Sequence, residues 1–238
     1  MRSKIVSSLV VAFSLGVVQA ASAADMPVKA RAVPVAAYNW TGCYVGVNGG
    51  LGWGNARWKD PGLGDFEFSN HNISGGLAGG TFGCNYQTGS VVLGLEGDVD
   101  WADIHGSSLD TLSAGALTDN TKIDFMATAA GRIGWAWGPA LIYAKGGAAW
   151  VHDKYWAIVN ATGATFYSAA QTRTGWMVGA GVEYAFSGPW SAKIEYNYID
   201  LGTKAATFAG GTFPGAPFPF NIKEQVSVVK LGLNYRFY

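Results

Sequence analysis

Residues 91–101, Val-Val-Leu-Gly-Leu-Glu-Gly-Asp-Val-Asp-Trp, decide the fold. Val91, Leu93, Leu95, Gly97, Val99 and Trp101 fall on one parity, and Val92, Gly94, Glu96, Asp98 and Asp100 on the other. Strict alternation predicts a strand with two unlike faces. One face concentrates three carboxylates, which repel one another. Three settings accommodate that: a catalytic acid pair, a water-exposed sheet face, or the inside of a barrel whose outside is lipid.

The N-terminus and the composition favour the third. Arg2 and Lys4 precede an apolar run from Ile5 to Val18, and Ala21-Ser22-Ala23 is a small-x-small cleavage pattern. Residues 1–23 are therefore expected to be a cleaved signal, with the cut between Ala23 and Ala24. The run is short and interrupted by Ser, which disfavours a retained membrane anchor. The expected mature chain has 14 Lys+Arg against 16 Asp+Glu, since residues 1–23 remove two of 16 cations and none of 16 acids. That balance of −2 and the lack of a basic stripe argue against a nucleic-acid partner. Charged residues are 13% of the chain against the usual ~25%. Glycine is abundant, at 34 of 238 residues. No segment after residue 23 is an apolar run long enough for a transmembrane helix. A barrel hides its hydrophobicity in alternation instead.

Residues 24–39, rich in Pro and Ala, read as an extended periplasmic linker. The barrel domain is expected over 40–238. Alternating segments lie near 43–53, 74–86, 91–101, 123–135, 141–151, 174–186, 190–200 and 226–237. Each is close to the ~9–11 residues that a tilted strand needs to cross a bilayer. Three connections are tight turns rich in Gly, Pro and Ser: 88–90, 138–139 and 187–189. The connections between them, 54–73, 102–122, 152–173 and 201–225, are long. Strict alternation of short and long connections predicts an all-β, eight-stranded antiparallel up-and-down transmembrane β-barrel. Four long extracellular loops then lie at one end and both termini at the other.

Parity sorts the side chains. Trp53, Trp101, Trp150, Trp176 and Tyr198 sit at the loop end of the lipid face. Tyr86, Trp135, Tyr184, Phe186, Trp190, Tyr235 and Phe237 sit at the turn end. Such rings suit membrane interfaces, although aromatics are also ordinary strand residues. The inward parities collect the acids Glu96, Asp98, Asp100, Asp124, Glu183 and Glu195, with the bases Arg132, Lys145, Lys193, Lys230 and Arg236. Lys145 is placed inside because a lipid-facing charge costs ~2–4 kcal/mol at midplane. An eight-stranded barrel is only wide enough for its own side chains. The carboxylates of 91–101 therefore read as one part of an ionic network that plugs the lumen.

Closing the 54–73 connection as an antiparallel pair sets Cys43 opposite Cys84, Val45 opposite Phe82 and Leu51 opposite Gly76. An oxidising periplasm predicts a disulfide there; two free thiols are the alternative, because bridge geometry is strict. No His neighbours either cysteine, so no metal is expected. No phosphate loop, dinucleotide fingerprint or zinc spacing occurs, and no cofactor is expected.

The segments WTGCYVGVNGG (40–50), LGLEGDVDW (93–101), GRIGWAW (131–137), LIYAKGGAAW (141–150), GAGVEYAF (179–186), AKIEYNYIDLG (192–202) and KLGLNYRFY (230–238) together resemble a known family. It is that of the small outer-membrane immunogenic, porin-family barrel proteins of alphaproteobacteria, and the likeness spans the mature chain. The resemblance implies an OmpA-like eight-stranded barrel with roles in envelope integrity and surface exposure. It also implies a C-terminal aromatic signal read by the barrel-assembly machinery. The family commonly ends in Phe, whereas here Tyr238 follows Phe237.

The expected function is a structural, surface-exposed outer-membrane protein. Its expected partners are outer-membrane lipid and lipopolysaccharide, the assembly machinery, and a host or surface ligand met by the loops. Phe208, Phe213, Phe218 and Phe220 form either a binding patch or a closed loop packed on its own rings. The alternatives are a small-solute channel, which a tight charged lumen opposes, and an outer-membrane enzyme. For the enzyme, His71, His105 and His152 fall in or beside the long connections, with Asp103 and Ser107 near His105 and Asp153 after His152.

Overall fold

A computed structural model describes residues 38–60, 62, 64, 66–111, 113–208 and 218–237. The expected signal and most of the linker lie outside them. The chain forms β1 (Gly42–Asp60), β2 (Phe66–Thr88), β3 (Val91–Leu109), β4 (Leu117–Trp137), β5 (Ala140–Val159), β6 (Thr165–Ser187), β7 (Trp190–Phe208) and β8 (Phe218–Phe237). Each strand pairs antiparallel with its chain neighbour, and β8 pairs with β1 to close the barrel. Closure leaves no strand edge unpaired, which a sheet in hydrocarbon requires. The tight turns each carry a glycine at positive φ, with values of 60° at Gly89, 59° at Gly138 and 50° at Gly188.

The strands are longer than a bilayer demands. They run to 23 residues in β2 and β6, about twice the ~9–11 that cross a membrane. The exposed large apolar side chains occupy the turn-end half, from Val45 to Trp53 on β1 and from Phe186 back to Trp176 on β6. Beyond that band, among the residues whose side chains are described, the one exposed large apolar side chain is Leu109. The membrane-spanning segments are accordingly 43–53, 76–86, 91–101, 125–137, 140–150, 176–186, 190–200 and 227–237. The remaining strand residues rise past the bilayer as a hydrogen-bonded extension.

This corrects the four long loops. Most of 54–73, 102–122, 152–173 and 201–225 is strand, and β3 connects to β4 through 110–116 and β5 to β6 through 160–164. The alternation persists there with its chemistry inverted. Ala56, Trp58, Ile73, Ile104, Ile123, Tyr155 and Ile222 point inward and are buried, while Arg57, Asn70, His105 and Lys223 on the other parity are not. Outside lipid, the outer wall must be polar, and the lumen supplies the apolar core.

At the turn end, Trp40 lies across the barrel mouth. Its backbone N–H donates to Gln87 Oε1 at 2.7 Å and its indole to the Gly138 carbonyl at 3.4 Å. Tyr38 packs edge-on against it at 4.9 Å. Cys43 and Cys84 face each other in the β1–β2 register and are joined by a disulfide.

Candidate functional site: a layered lumen

The inward positions of the membrane-spanning half build one ionic cluster. Glu96 is its centre: Lys145 Nζ contacts its Oε1 at 2.8 Å, and Arg132 Nη1 and Lys193 Nζ contact its Oε2 at 3.0 and 3.1 Å. Tyr44 Oη donates to the same Oε2 at 2.6 Å. Arg132 reaches Glu183 with Nη2 at 2.9 Å and lies 4.2 Å above the Tyr143 ring. Glu183 also accepts from Ser191 at 2.6 Å and Asn234 at 2.8 Å. Glu195 takes Lys145 at 2.8 Å and Tyr143 Oη at 2.9 Å. Lys230 lies 3.0 Å from Asp98, 3.3 Å from Asp100 and 3.5 Å from Glu195. Thr81 and Thr128 donate to the two oxygens of Asp98 at 2.8 and 3.1 Å. Buried charges in low dielectric demand such pairing and hydrogen bonding.

Two tyrosines fit because the facing residues are glycine. A Cβ on Gly83 would lie 2.4 Å from Tyr44 Oη, and one on Gly181 2.6 Å from the Tyr143 ring. The opposition of these glycines to tyrosine across β1–β2 and β5–β6 explains them.

Of the predicted interior residues, Glu96, Asp98, Asp100, Arg132, Lys145, Glu183, Lys193, Glu195 and Lys230 share the cluster. Arg236 also points inward, but sits at the turn-end mouth, donating to the Asn39 carbonyl with the Tyr38 ring 4.3 Å away. Asp124 does not belong to the interior. A bulge between Ile123 and Phe125 reverses the parity of β4, so Ile123 is buried in the lumen and Asp124 pairs with Lys154 at 2.6 Å on the outside. Of the proposed loop patch, Phe220 packs against the upper core with Tyr167 6.2 Å away. Phe208 and Phe218 pair through their backbones. Phe213 lies outside the described residues.

Above the ionic cluster comes an apolar layer. Leu77, Ile73, Ile104, Ile123, Met126, Ala149, Val151, Met177, Ile199, Val226 and Val228, from seven of the eight strands, form one buried core. Ala56 and Trp58 bring in β1, the eighth. Trp58 stacks edge-on to Tyr155 at 5.4 Å.

A second ionic group, beyond the bilayer, was missed because its residues were assigned to loops. Arg173 Nε contacts Asp153 at 2.6 Å, its Nη2 contacts Glu224, and Tyr155 Oη donates to Glu224 at 3.1 Å. The signal was available: Asp153 keeps the parity of Lys145, and Glu224 that of Lys230. One cation here faces two acids. Burial, then the adjacent Asp153 charge, pushes the Glu224 carboxyl up to about 8, and burial raises Asp153 too. Still higher, burial pushes Asp119 up to about 6 and lowers His71 to about 4.

The carboxylates of Glu96, Asp98 and Glu195 approach within 4.8 Å of one another, as metal ligands can. Lys145, Lys193 and Lys230 already contact these oxygens, so the counter-cations are the protein's own. The histidines are dispersed. His71 is buried with Thr121 Oγ1 at 2.9 Å. His105 is exposed, 3.7 Å from Asp103. His152 faces Thr172 at 3.1 Å on the outer side, whereas Asp153 is turned inward to Arg173.

A closed eight-stranded ring with an apolar belt is shared by many membrane proteins, and comparison narrows it. The family model described as outer membrane protein beta-barrel domain matches residues 9–237. The chain belongs to this outer-membrane barrel family. It is 31% identical over 252 residues to the 31 kDa outer-membrane immunogenic protein of Brucella melitensis biotype 1, covering all of both chains. It is 30% identical over 200 residues to the 22 kDa outer membrane protein of Rhizobium leguminosarum bv. viciae, covering 84% of this chain and 79% of that one. Among solved structures, the outer membrane protein OprG from Pseudomonas aeruginosa overlaps 84% of this chain and 98% of its own, at 12% identity and a TM-score of 0.48. Family membership makes the protein an integral outer-membrane barrel of a Gram-negative cell, and its apolar band is the lipid-facing surface.

Proposed function

We propose that this barrel is a closed, non-enzymatic structural protein of the outer membrane, which supports the envelope and displays a rigid surface extension. The observation that carries the reading is the stacking of fillings in the lumen: an ionic cluster, an apolar core and a second ionic group, one above the other. An ion crossing the apolar layer would lose hydration with no polar partner in exchange, at a cost of several kcal/mol. The extension, built of paired strand, presents fixed polar side chains to the outside. That suits surface recognition and agrees with the relatives' description as immunogenic. Phe237, on the lipid side of the terminal strand, supplies the aromatic feature for recognition by the assembly machinery.

Planar-bilayer conductance of the refolded protein tests this. Silence or rare small flickers are expected. A stable, reproducible open state would refute the closed-barrel reading and turn Glu96, Arg132 and Lys145 into pore residues.

A further inference from the structure

Four residues past the aromatic belt, the outer wall twice sets two cations directly opposite each other on paired strands. Like charges so placed repel. One pair is Lys122 on β4 and Lys154 on β5. There the chain supplies the relief: Asp103 lies 2.7 Å from Lys122 and Asp124 2.6 Å from Lys154. The other pair is Arg57 on β1 and Lys223 on β8, at the same height: Arg57 follows Trp53 as Lys154 follows Trp150. Lys59 follows Arg57 on the same parity.

At this second pair no acid answers. Among the described residues, no carboxylate oxygen lies within 4.0 Å of the Arg57, Lys59 or Lys223 head groups. Arg57 Nε donates to the neutral Asn55 Oδ1 at 3.0 Å. Lys59 does have an acid opposite it on β2, Glu67, which accepts from Asn70 at 2.9 Å; Asp60 accepts from the Gly62 N–H at 2.7 Å and Asp200 from Gln225 at 2.8 Å, so the uncompensated pair is Arg57 and Lys223. The residue opposite Lys223 on β7 is Thr203, a hydroxyl and not an acid. Arg57 and Lys223 are both exposed, so the charge is held open to the outside.

We propose that Arg57 and Lys223, flanked by Lys59 and Thr203, bind the phosphate groups of a lipopolysaccharide molecule of the outer leaflet. Height selects this occupant. Four residues of tilted strand place the cations about 10 Å above the Trp53 ring, and aromatic rings mark the headgroup level. An anchored phosphate there sits beside the cations while its acyl chains lie along the apolar wall of β1 and β8, where Val47, Leu51, Leu231 and Leu233 are exposed. Arg supplies a planar fork for phosphate oxygens and Lys a point charge. The inference uses the outer-membrane placement and does not depend on whether the lumen conducts.

Affinity of the refolded full-length barrel in detergent is measured for lipid A, for dephosphorylated lipid A and for inorganic pyrophosphate. Wild type is expected to bind lipid A well above the other two. Arg57→Gln with Lys223→Gln should weaken lipid A binding about thirtyfold, while Lys122→Gln with Lys154→Gln, at the same height, should change it less than twofold. Unchanged gel migration of the folded form checks that the variants keep their barrels. Equal affinity of wild type and the Arg57→Gln/Lys223→Gln variant would overturn the site, as would equal binding of dephosphorylated lipid A. Pyrophosphate binding as tight as lipid A would assign the cations to a soluble phosphate and overturn the lipid.

Discussion

Replacing Lys145 by Met separates a stability role for the ionic cluster from a conduction role. Lys145 Nζ contacts Glu96 at 2.8 Å, Glu195 at 2.8 Å and Asp98 at 3.3 Å. The cluster holds five acids (Glu96, Asp98, Asp100, Glu183, Glu195) and four bases (Arg132, Lys145, Lys193, Lys230). Loss of one base leaves five against three among side chains that are all buried. Removing one partner of a buried pair costs ~3–5 kcal/mol. Lys193 and Lys230 remain near the same carboxylates, which puts the expected loss at the lower end, about 3 kcal/mol. Met keeps most of the side-chain volume, so the loss reports charge more than packing. Urea unfolding in lipid vesicles, followed by tryptophan fluorescence, measures it. Adding Glu195→Gln leaves four acids against three bases, the wild-type excess of one, and should recover more than half of the loss. Conductance should stay silent in both variants, because the apolar layer above is untouched. A loss under about 1 kcal/mol, or a steady current from Lys145→Met, would refute the reasoning.

Three further outcomes follow from the same geometry. Glu224 titrates near 8 in the folded protein against 4.5 normally; its stabilising contribution is therefore complete below about pH 4.5 and is lost as pH rises through 8. The stability difference between wild type and Glu224→Gln should fall over that window, and a difference that grows with pH would contradict the burial argument. Trp58→Ala empties a fully buried site against Tyr155 and should cost about 3–5 kcal/mol by urea unfolding; a neutral result would mean that the upper lumen is not packed. Cys43 and Cys84 should resist alkylation until reduced, and Cys43→Ser with Cys84→Ser should lower stability by about 2–4 kcal/mol. Ready labelling of the untreated protein would remove the bridge.

Much of this molecule is legible from local sequence because lipid imposes a strict rule. Between the two aromatic belts outward residues must be apolar, and every inward charge must find a partner. Parity within Val91–Trp101 is therefore enough to place Glu96, Asp98 and Asp100 inside, and strand count and turn lengths follow from the same rhythm. That reading stops at the bilayer edge. Past Trp53 and Trp150 the outer wall becomes polar, so a search for apolar outward parity takes β-strand for loop and misses Asp153, Arg173 and Glu224. Asp124 was misplaced because one bulge in β4 reverses parity, and a bulge is set by pairing with neighbours, not by the strand's own residues. Which acid meets which base was likewise beyond the sequence. Lys145 reaches Glu96 across the lumen from a strand two away, a contact fixed by barrel shear and radius. The sequence by itself determined which face each membrane-spanning residue takes, because that is a local choice between lipid and lumen. Only the closed ring decided the partners, the apolar layer over the ionic one, and the two cation pairs of the outer wall, because each depends on how separate strands register against one another, as far apart in the chain as β1 and β8 for Arg57 and Lys223.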